Sequence, residues 1–337
     1  MQRRTRYVFV IAALFGAAGC SGGMTSQSSS LPSQAATTFV HSGVPFAVPA
    51  LYSAARHETA ASTYLTNRTV VFEGDQEEES VNIYQNSELP ENPAPIATFK
   101  VAAGCPYGMA MDTHGTLYVV DNCGGNDVEE YAKGSTTLKA TITDGISNPL
   151  GAAVDKNNTL YVTNYPAAIT EYTYGTNTPS KTITGDGMED PFGEALDSSG
   201  NLYIADFGAS AVFELPAGGS SVTNLNLQGL GEPLGVAIDR ETGYLWETGG
   251  SGNIINIYKL GGSTSPIETI TGNGYPYAIS LEYRGQLKGE VVESDIDTHD
   301  VYAFANGSYT PYATLSNGVE LPTGLLVIKP TFTTYRP

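Results

Sequence analysis

Cations are scarce in this chain: 16 Lys and Arg stand against 35 Asp and Glu among 337 residues, a formal net charge of −19. That shortage excludes a phosphate-tracking nucleic-acid surface and makes anionic lipid headgroups poor partners. Charged residues are 15% of the total, and the poverty in Lys, Glu and Leu argues against helical bundles. Chemical signatures are missing as well. The four histidines, His41, His57, His114 and His299, form neither an HExxH nor an H-x-H pair, and there is no G-x-S-x-G elbow, phosphate loop or CxxC. No apolar run reaches the roughly 18 residues that a spanning helix needs. What the chain has instead is 38 Gly, 19 Pro, 21 Tyr and 41% hydrophobic residues, a composition too apolar and aromatic for disorder. It reads as a turn-rich globular protein.

The N-terminus has its own logic. Arg3, Arg4 and Arg6 precede a short apolar stretch, Tyr7 to Gly19, and Ala17-Ala18-Gly19-Cys20 closes it with small residues and a cysteine. The segment resembles a bacterial lipoprotein signal, and an ordinary secretory signal is the alternative. The resemblance implies cleavage before Cys20, acylation of Cys20, and tethering at the cell envelope; Ser21 at the next position favours the outer membrane. Cleavage removes three arginines and takes the charge from −19 to −22. We assign 1–19 to the signal, 20–38 to a Ser/Gly/Gln-rich linker, 39–68 to a strap over the main domain, 69–328 to that domain and 329–337 to a tail.

The main domain is a repeat. PYGMAMD (106–112), PLGAAVD (149–155), PFGEALD (191–197) and PLGVAID (233–239) recur at about 43 residues, and PYAISLE (276–282) and PTGLLVI (322–328) continue the series. The first five are each followed by a second strand, such as TLYVVD (116–121), TLYVTN (159–164) and NLYIAD (201–206), which lie across the Asp/Asn/Gly hairpin turns DTHGT, DKNNT and DSSGN. Third strands (VNIY, VEEY, ITEY, VFEL, INIY, VYAF) and fourth strands complete each period. Four strands per period predict an all-β, six-bladed propeller of antiparallel blades. Residues 71–99 supply only three strands and 322–328 only one, so the C-terminal strand is expected to join the N-terminal blade and close the ring. The pattern P-x-G-x-A-x-D…G-x-L-Y-V-x-D…V-x-x-Y resembles NHL-type propellers and, more loosely, the regucalcin/gluconolactonase-like superfamily, a scaffold that carries enzymes and binding proteins alike.

Cys105 and Cys123 lie symmetrically about His114, the middle of one hairpin, which sets them opposite each other across two antiparallel strands and predicts a disulfide. The turn aspartates Asp112, Asp155, Asp197 and Asp239 are expected to cap their own turns. Tyr118, Tyr161, Tyr203 and Trp246 share one register position and are expected to pack blade against blade. One second-strand position departs from pattern: Val119, Val162 and Ile204 in three blades give way to Glu247, Glu293 and Glu73 in the next three. Glu194 likewise replaces an apolar residue in a first strand. Such acids near an axis need a partner, hydration or a cation. The gluconolactonase-like resemblance implies a calcium ion among Glu194, Asn164 and Asp206, although that family's Glu-Gly-Pro opening is absent. Aromatics of the loops where strands enter and leave the ring, namely Tyr107, Tyr165, Phe192, Phe207, Tyr275 and Tyr277, are the candidate binding face.

These readings favour a monomeric, non-enzymatic binding or scaffolding lipoprotein whose propeller face takes a protein, peptide or glycan, with no nucleic-acid partner and membrane contact only through the lipid. The alternative is a divalent-metal-dependent hydrolase or lactonase using the central acids.

Overall fold

The computed structural model describes residues 69–102, 104–281, 290–305, 308 and 310–328. The signal, linker, strap and tail expected from the sequence lie outside the described residues, Cys20 among them. The described chain forms twenty-four strands, numbered β1 to β24 in chain order, in six four-stranded antiparallel sheets. The six inner strands are β4 (Pro106–Met111), β8 (Pro149–Val154), β12 (Pro191–Leu196), β16 (Pro233–Asp239), β20 (Pro276–Leu281) and β24 (Pro322–Ile328). Each packs against the next around the axis, and β24 against β4, so the molecule is a six-bladed β-propeller. β24 pairs with β1 (Val70–Asp75), the strand at the opposite end of the described chain, with Leu325 facing Glu73. The expected closure is therefore the one observed, and it leaves no blade with an unpaired stump.

The glycine of each Pro-x-Gly repeat explains how six inner strands fit around so narrow an axis. A Cβ on Gly108 would stand 2.6 Å from the Ala152 nitrogen, and one on Gly193 2.8 Å from the Leu234 carbonyl. In five of the six inner strands a residue without a side chain lets the strand approach its neighbour's backbone, and β20 carries the small Ala278 there. Hydroxyls stitch the same level: Thr163 donates to the Phe192 carbonyl (2.6 Å), Thr248 to that of Tyr277 (2.7 Å) and Thr323 to that of Pro106 (2.7 Å).

Between blades the packing is apolar, as the shared register position of the large aromatics predicts. Tyr118 lies with Leu150 and Ala152 of the next blade, Tyr203 with Val236 and Ile238, and Trp246 with Ile279 and Leu281. Further out, Tyr84, Tyr172 and Tyr258 are fully buried and donate to the carbonyls of Asn317, Asp144 and Gln228, in the loops leading into their own blades. The turn aspartates cap their turns: Asp112 Oδ1 accepts the N–H groups of His114 and Thr116, both at 2.8 Å, and Asp197 Oδ1 those of Ser199, Gly200 and Asn201. Cys105 and Cys123 form the expected disulfide, Cα to Cα 5.2 Å.

Candidate functional site

Each inner strand is the edge of its sheet, so its free backbone edge, rather than a row of side chains, faces the axis. The six edges enclose a cavity of about 330 Å³. At one end it reaches the hairpin turns, where Thr113, Lys156 and Arg240 line it. Toward the other end it is lined by the second residue of every inner strand: Tyr107, Leu150, Phe192, Leu234, Tyr277 and Thr323. Beyond this layer lie the loops that enter the inner strands and those that follow the second strands. Hydrogen bonds tie the two sets together, as from Phe207 N–H to the Asp190 carbonyl (2.9 Å) and from Ile296 N–H to that of Tyr275 (3.2 Å).

Five of the six expected aromatics meet at this loop end. Tyr107 and Phe192 are buried, Phe207, Tyr275 and Tyr277 half-buried, and all belong to one apolar cluster. Ring centroids are 6.3 Å apart for Tyr107 and Tyr277, 6.2 Å for Phe192 and Tyr277 in an edge-on arrangement, and 5.9 Å for Phe192 and Phe207. These are favourable aromatic separations. Burial pushes the Tyr107 phenol up to about 12, against a smaller lowering by the Tyr277 hydroxyl. Tyr165 stands outside the cluster; its N–H donates to the Asn148 carbonyl at 3.1 Å. Beside the aromatics Asp190 is raised to about 6, by burial first and by Asp206 second.

The out-of-pattern acids are arranged otherwise than expected. Their register holds: Glu73 pairs with Leu325, Glu247 with Val236, Glu293 with Ile279, and Glu194 with Ile204. Their direction does not. Because the inner strands stand edge-on to the axis, side chains at this register point into the interfaces between blades, and Glu73, Glu247 and Glu293 are absent from the cavity wall. Each is at most 1% exposed. Glu194 borders the cavity with both its carboxyl oxygens buried, and Gly151 leaves the room its stem occupies. Burial raises Glu194 to about 8 and Glu247 to about 7; it also drives Glu73 and Glu293 well up, with Asp75 and Asp295 adding to the shift.

Two of these acids share a setting that the sequence displayed and spacing alone did not connect. Asn82 Nδ2 donates to Glu73 Oε2 (3.0 Å) and to the Gly318 carbonyl (3.0 Å), while Asn256 Nδ2 donates to Glu247 Oε2 (2.9 Å) and to the Gly229 carbonyl (3.1 Å). Thr98 and Thr269 complete each set by donating to the asparagine oxygen, at 2.7 and 2.8 Å. The signal was in the third strands, where VNIY and INIY carry Asn only in blades whose second strand carries Glu at this position. In each set the second carboxyl oxygen, Oε1, has no partner.

The donor set expected for calcium does not fit a cation. Asn164 Oδ1 accepts the Ser147 N–H (2.9 Å), and its Nδ2 donates to the Val162 carbonyl and the Thr170 hydroxyl, each at 3.0 Å. Asp206 accepts the N–H groups of Glu189, Asp190 and Ala209, all at 2.9 Å. Both clamp loops, and Asp206 pairs with Pro191 rather than with Glu194. Among the described residues, the acids that do gather are Asp121, Asp127 and Glu129, with one oxygen of each within 4.8 Å of the others. Two of them are already committed: Asp121 accepts the Cys105 N–H (3.3 Å), and Glu129 accepts the Ala102 N–H (2.8 Å) and the Tyr131 hydroxyl. The run DNCGGNDVEEY (121–131) was the trace they left in the sequence.

No known protein family and no curated protein matches the chain in sequence. Solved structures match its fold. A chain of a nidogen/laminin complex is 16% identical, with a TM-score of 0.66, over 78% of this chain and all of that one. Virginiamycin B lyase from Staphylococcus aureus is 15% identical, with a TM-score of 0.56, over 72% of this chain and 80% of its own. A protein of unknown function from Bacteroides caccae is 12% identical, with a TM-score of 0.60, over 78% and 99%. Identities this low show a shared propeller and nothing finer.

Proposed function

We propose that the protein is a non-enzymatic binding module, held at the cell envelope through Cys20, whose loop end receives a segment of a protein partner around the half-buried Phe207, Tyr275 and Tyr277. The observation that carries this reading is the convergence of five aromatics at the loop end of a rigid ring, with Tyr107 and Phe192 buried and Phe207, Tyr275 and Tyr277 half-buried. Aromatic rings on a preorganised scaffold give large contact area at little cost in conformational entropy. That a propeller of this fold occurs in a nidogen/laminin complex supports a protein partner. The hydrolase reading needs its acids to meet, and their placement in separate interblade interfaces gives it no support.

Photocrosslinking tests the docking end. A photoreactive residue at the position of Tyr275 is expected to capture an envelope protein, whereas one at the position of Tyr174, exposed at the hairpin end, captures none. Equal capture at both positions would overturn the reading. Fatty-acid labelling of the wild-type chain that persists unchanged in Cys20→Ala would dismiss the anchor.

A further inference from the structure

The ring is more acidic at its loop end than at its hairpin end, where Glu88, Glu91, Asp112, Asp155, Asp197 and Glu241 stand among cations. The loops at the aromatic end, residues 76–79, 101–102, 104–105, 122–126, 143–148, 165–167, 185–190, 207–210, 225–232, 250–253, 272–275, 296–299 and 316–321, hold ten Asp or Glu and no Lys or Arg. The lysine nearest them, Lys100 at the close of a fourth strand, donates to the Glu78 carbonyl and lies 3.8 Å from the Glu78 carboxylate. The remaining described cations, Lys133, Lys139, Lys156, Lys181, Arg240 and Lys259, lie at or near the hairpin-turn end. A field of this kind attracts a cationic partner to one end of the molecule and repels an anionic one.

Three carboxylates stand close to the aromatic mouth. The Asp190 carbonyl accepts the Phe207 N–H (2.9 Å), a Cβ on Gly274, beside Tyr275, would stand 2.8 Å from the Asp297 Cβ, and Glu232 lies two residues before Leu234 of the same apolar cluster. Asp190 and Glu232 are half-buried and Asp297 is exposed. Beneath the Gly274–Tyr275 loop, fully buried Asp295 accepts the Tyr275 N–H with Oδ1 (2.9 Å) while its Oδ2 has no partner. That free oxygen is turned toward the loop, 3.0 Å from where a Cβ on Gly274 would stand. Tyrosine faces rimmed by carboxylates form a receptor for a positively charged side chain, which gains cation–π attraction from the rings and charge-assisted hydrogen bonds from the rim.

We infer that the segment received at the aromatic mouth is basic, a Lys- or Arg-bearing stretch of the partner whose cationic side chain lies over Tyr275 and Tyr277 between Asp190, Glu232 and Asp297. This rests on the docking reading above and adds the partner's chemistry to it. The test uses the full-length protein with labelled oligolysine and, as its opposite, oligoglutamate of equal length. Oligolysine is expected to bind more weakly as salt rises, and to lose at least about tenfold in affinity in the triple variant Asp190→Asn/Glu232→Gln/Asp297→Asn. Glu91→Gln, an exposed acid outside these loops, should change nothing, and oligoglutamate should not bind. Oligolysine binding that survives the triple variant, or falls equally in Glu91→Gln, overturns the inference. If oligolysine fails to bind while photocrosslinking at Tyr275 still captures a partner, the cationic class is wrong and the docking end stands; if both fail, both readings fall.

Discussion

Two halves of one ring use a single register position in opposite ways. In blades 106–142, 149–184 and 191–224 it holds Val119, Val162 and Ile204, each wholly buried among apolar neighbours; in the other three it holds Glu247, Glu293 and Glu73, no more exposed. Identical backbone pairing therefore tolerates either an aliphatic side chain or a carboxyl, provided the carboxyl is kept neutral or given a donor. In two blades that donor is an asparagine on the adjacent strand, and in all three acidic blades burial drives the acid upward. The difference is one of proton affinity rather than of fold.

The largest effect should come from moving a carboxyl into the apolar half. Val162 faces Thr170 rather than an asparagine, so Val162→Glu is expected to cost on the order of 3–5 kcal/mol, read as a fall in the denaturant midpoint. A loss below about 1 kcal/mol would mean that the two halves are interchangeable. Next in size is the staple of the apolar half. Removing the Cys105–Cys123 bond, which closes a loop of sequence separation 18, should cost about 3 kcal/mol, measured on a Cys105→Ser/Cys123→Ser double variant. A change within error would show that the strand pairing alone holds blade 106–142.

The acidic half should announce itself through pH. Folded Glu247 keeps its proton up to about 7, whereas the unfolded side chain releases it near 4.5, so the native state binds the extra proton between those values. Its contribution is fully present below about 4.5 and is lost as pH rises through 7. Glu194, held to about 8, extends the decline. Wild type should thus be less stable at pH 9 than at pH 5 by several kcal/mol, and Glu247→Gln should recover on the order of 2 kcal/mol at pH 9 and almost none at pH 5. A parallel offset at both values would contradict the proton-linked account. The smallest effect expected is that of Tyr258→Phe, which removes a single hydrogen bond to the Gln228 carbonyl and should lower stability by about 1 kcal/mol; no measurable change would assign that tyrosine to packing alone.

The sequence made the scaffold legible because the relevant signals are local. A Pro-led period marked every inner strand, Asp-led turns marked four of the hairpins, and the symmetric placement of Cys105 and Cys123 about one turn predicted their bond. Even the register of Glu73, Glu194, Glu247 and Glu293 could be counted from strand spacing. What spacing does not hold is the direction in which a register position looks. Period-2 alternation distinguishes two faces of a strand, and in a propeller both faces of an inner strand meet neighbouring blades while its edge meets the axis. The acids expected to converge on a channel are therefore dispersed among four interfaces, and Asn164 and Asp206 serve as loop clamps.

The aromatic face shows the same division. Sequence identified the loop positions, and the structure gathered Tyr107, Phe192, Phe207, Tyr275 and Tyr277 while leaving Tyr165 aside. By itself, then, the sequence determined the number of blades, the strand that closes them, the disulfide and the overall negative charge, since each is written in periodicity, composition or short-range spacing. Ring closure alone decided which acids are buried and hold their protons more tightly, which aromatics touch, and that the described cations collect at one end, because these depend on blades far apart in the chain being brought edge to edge around a common axis.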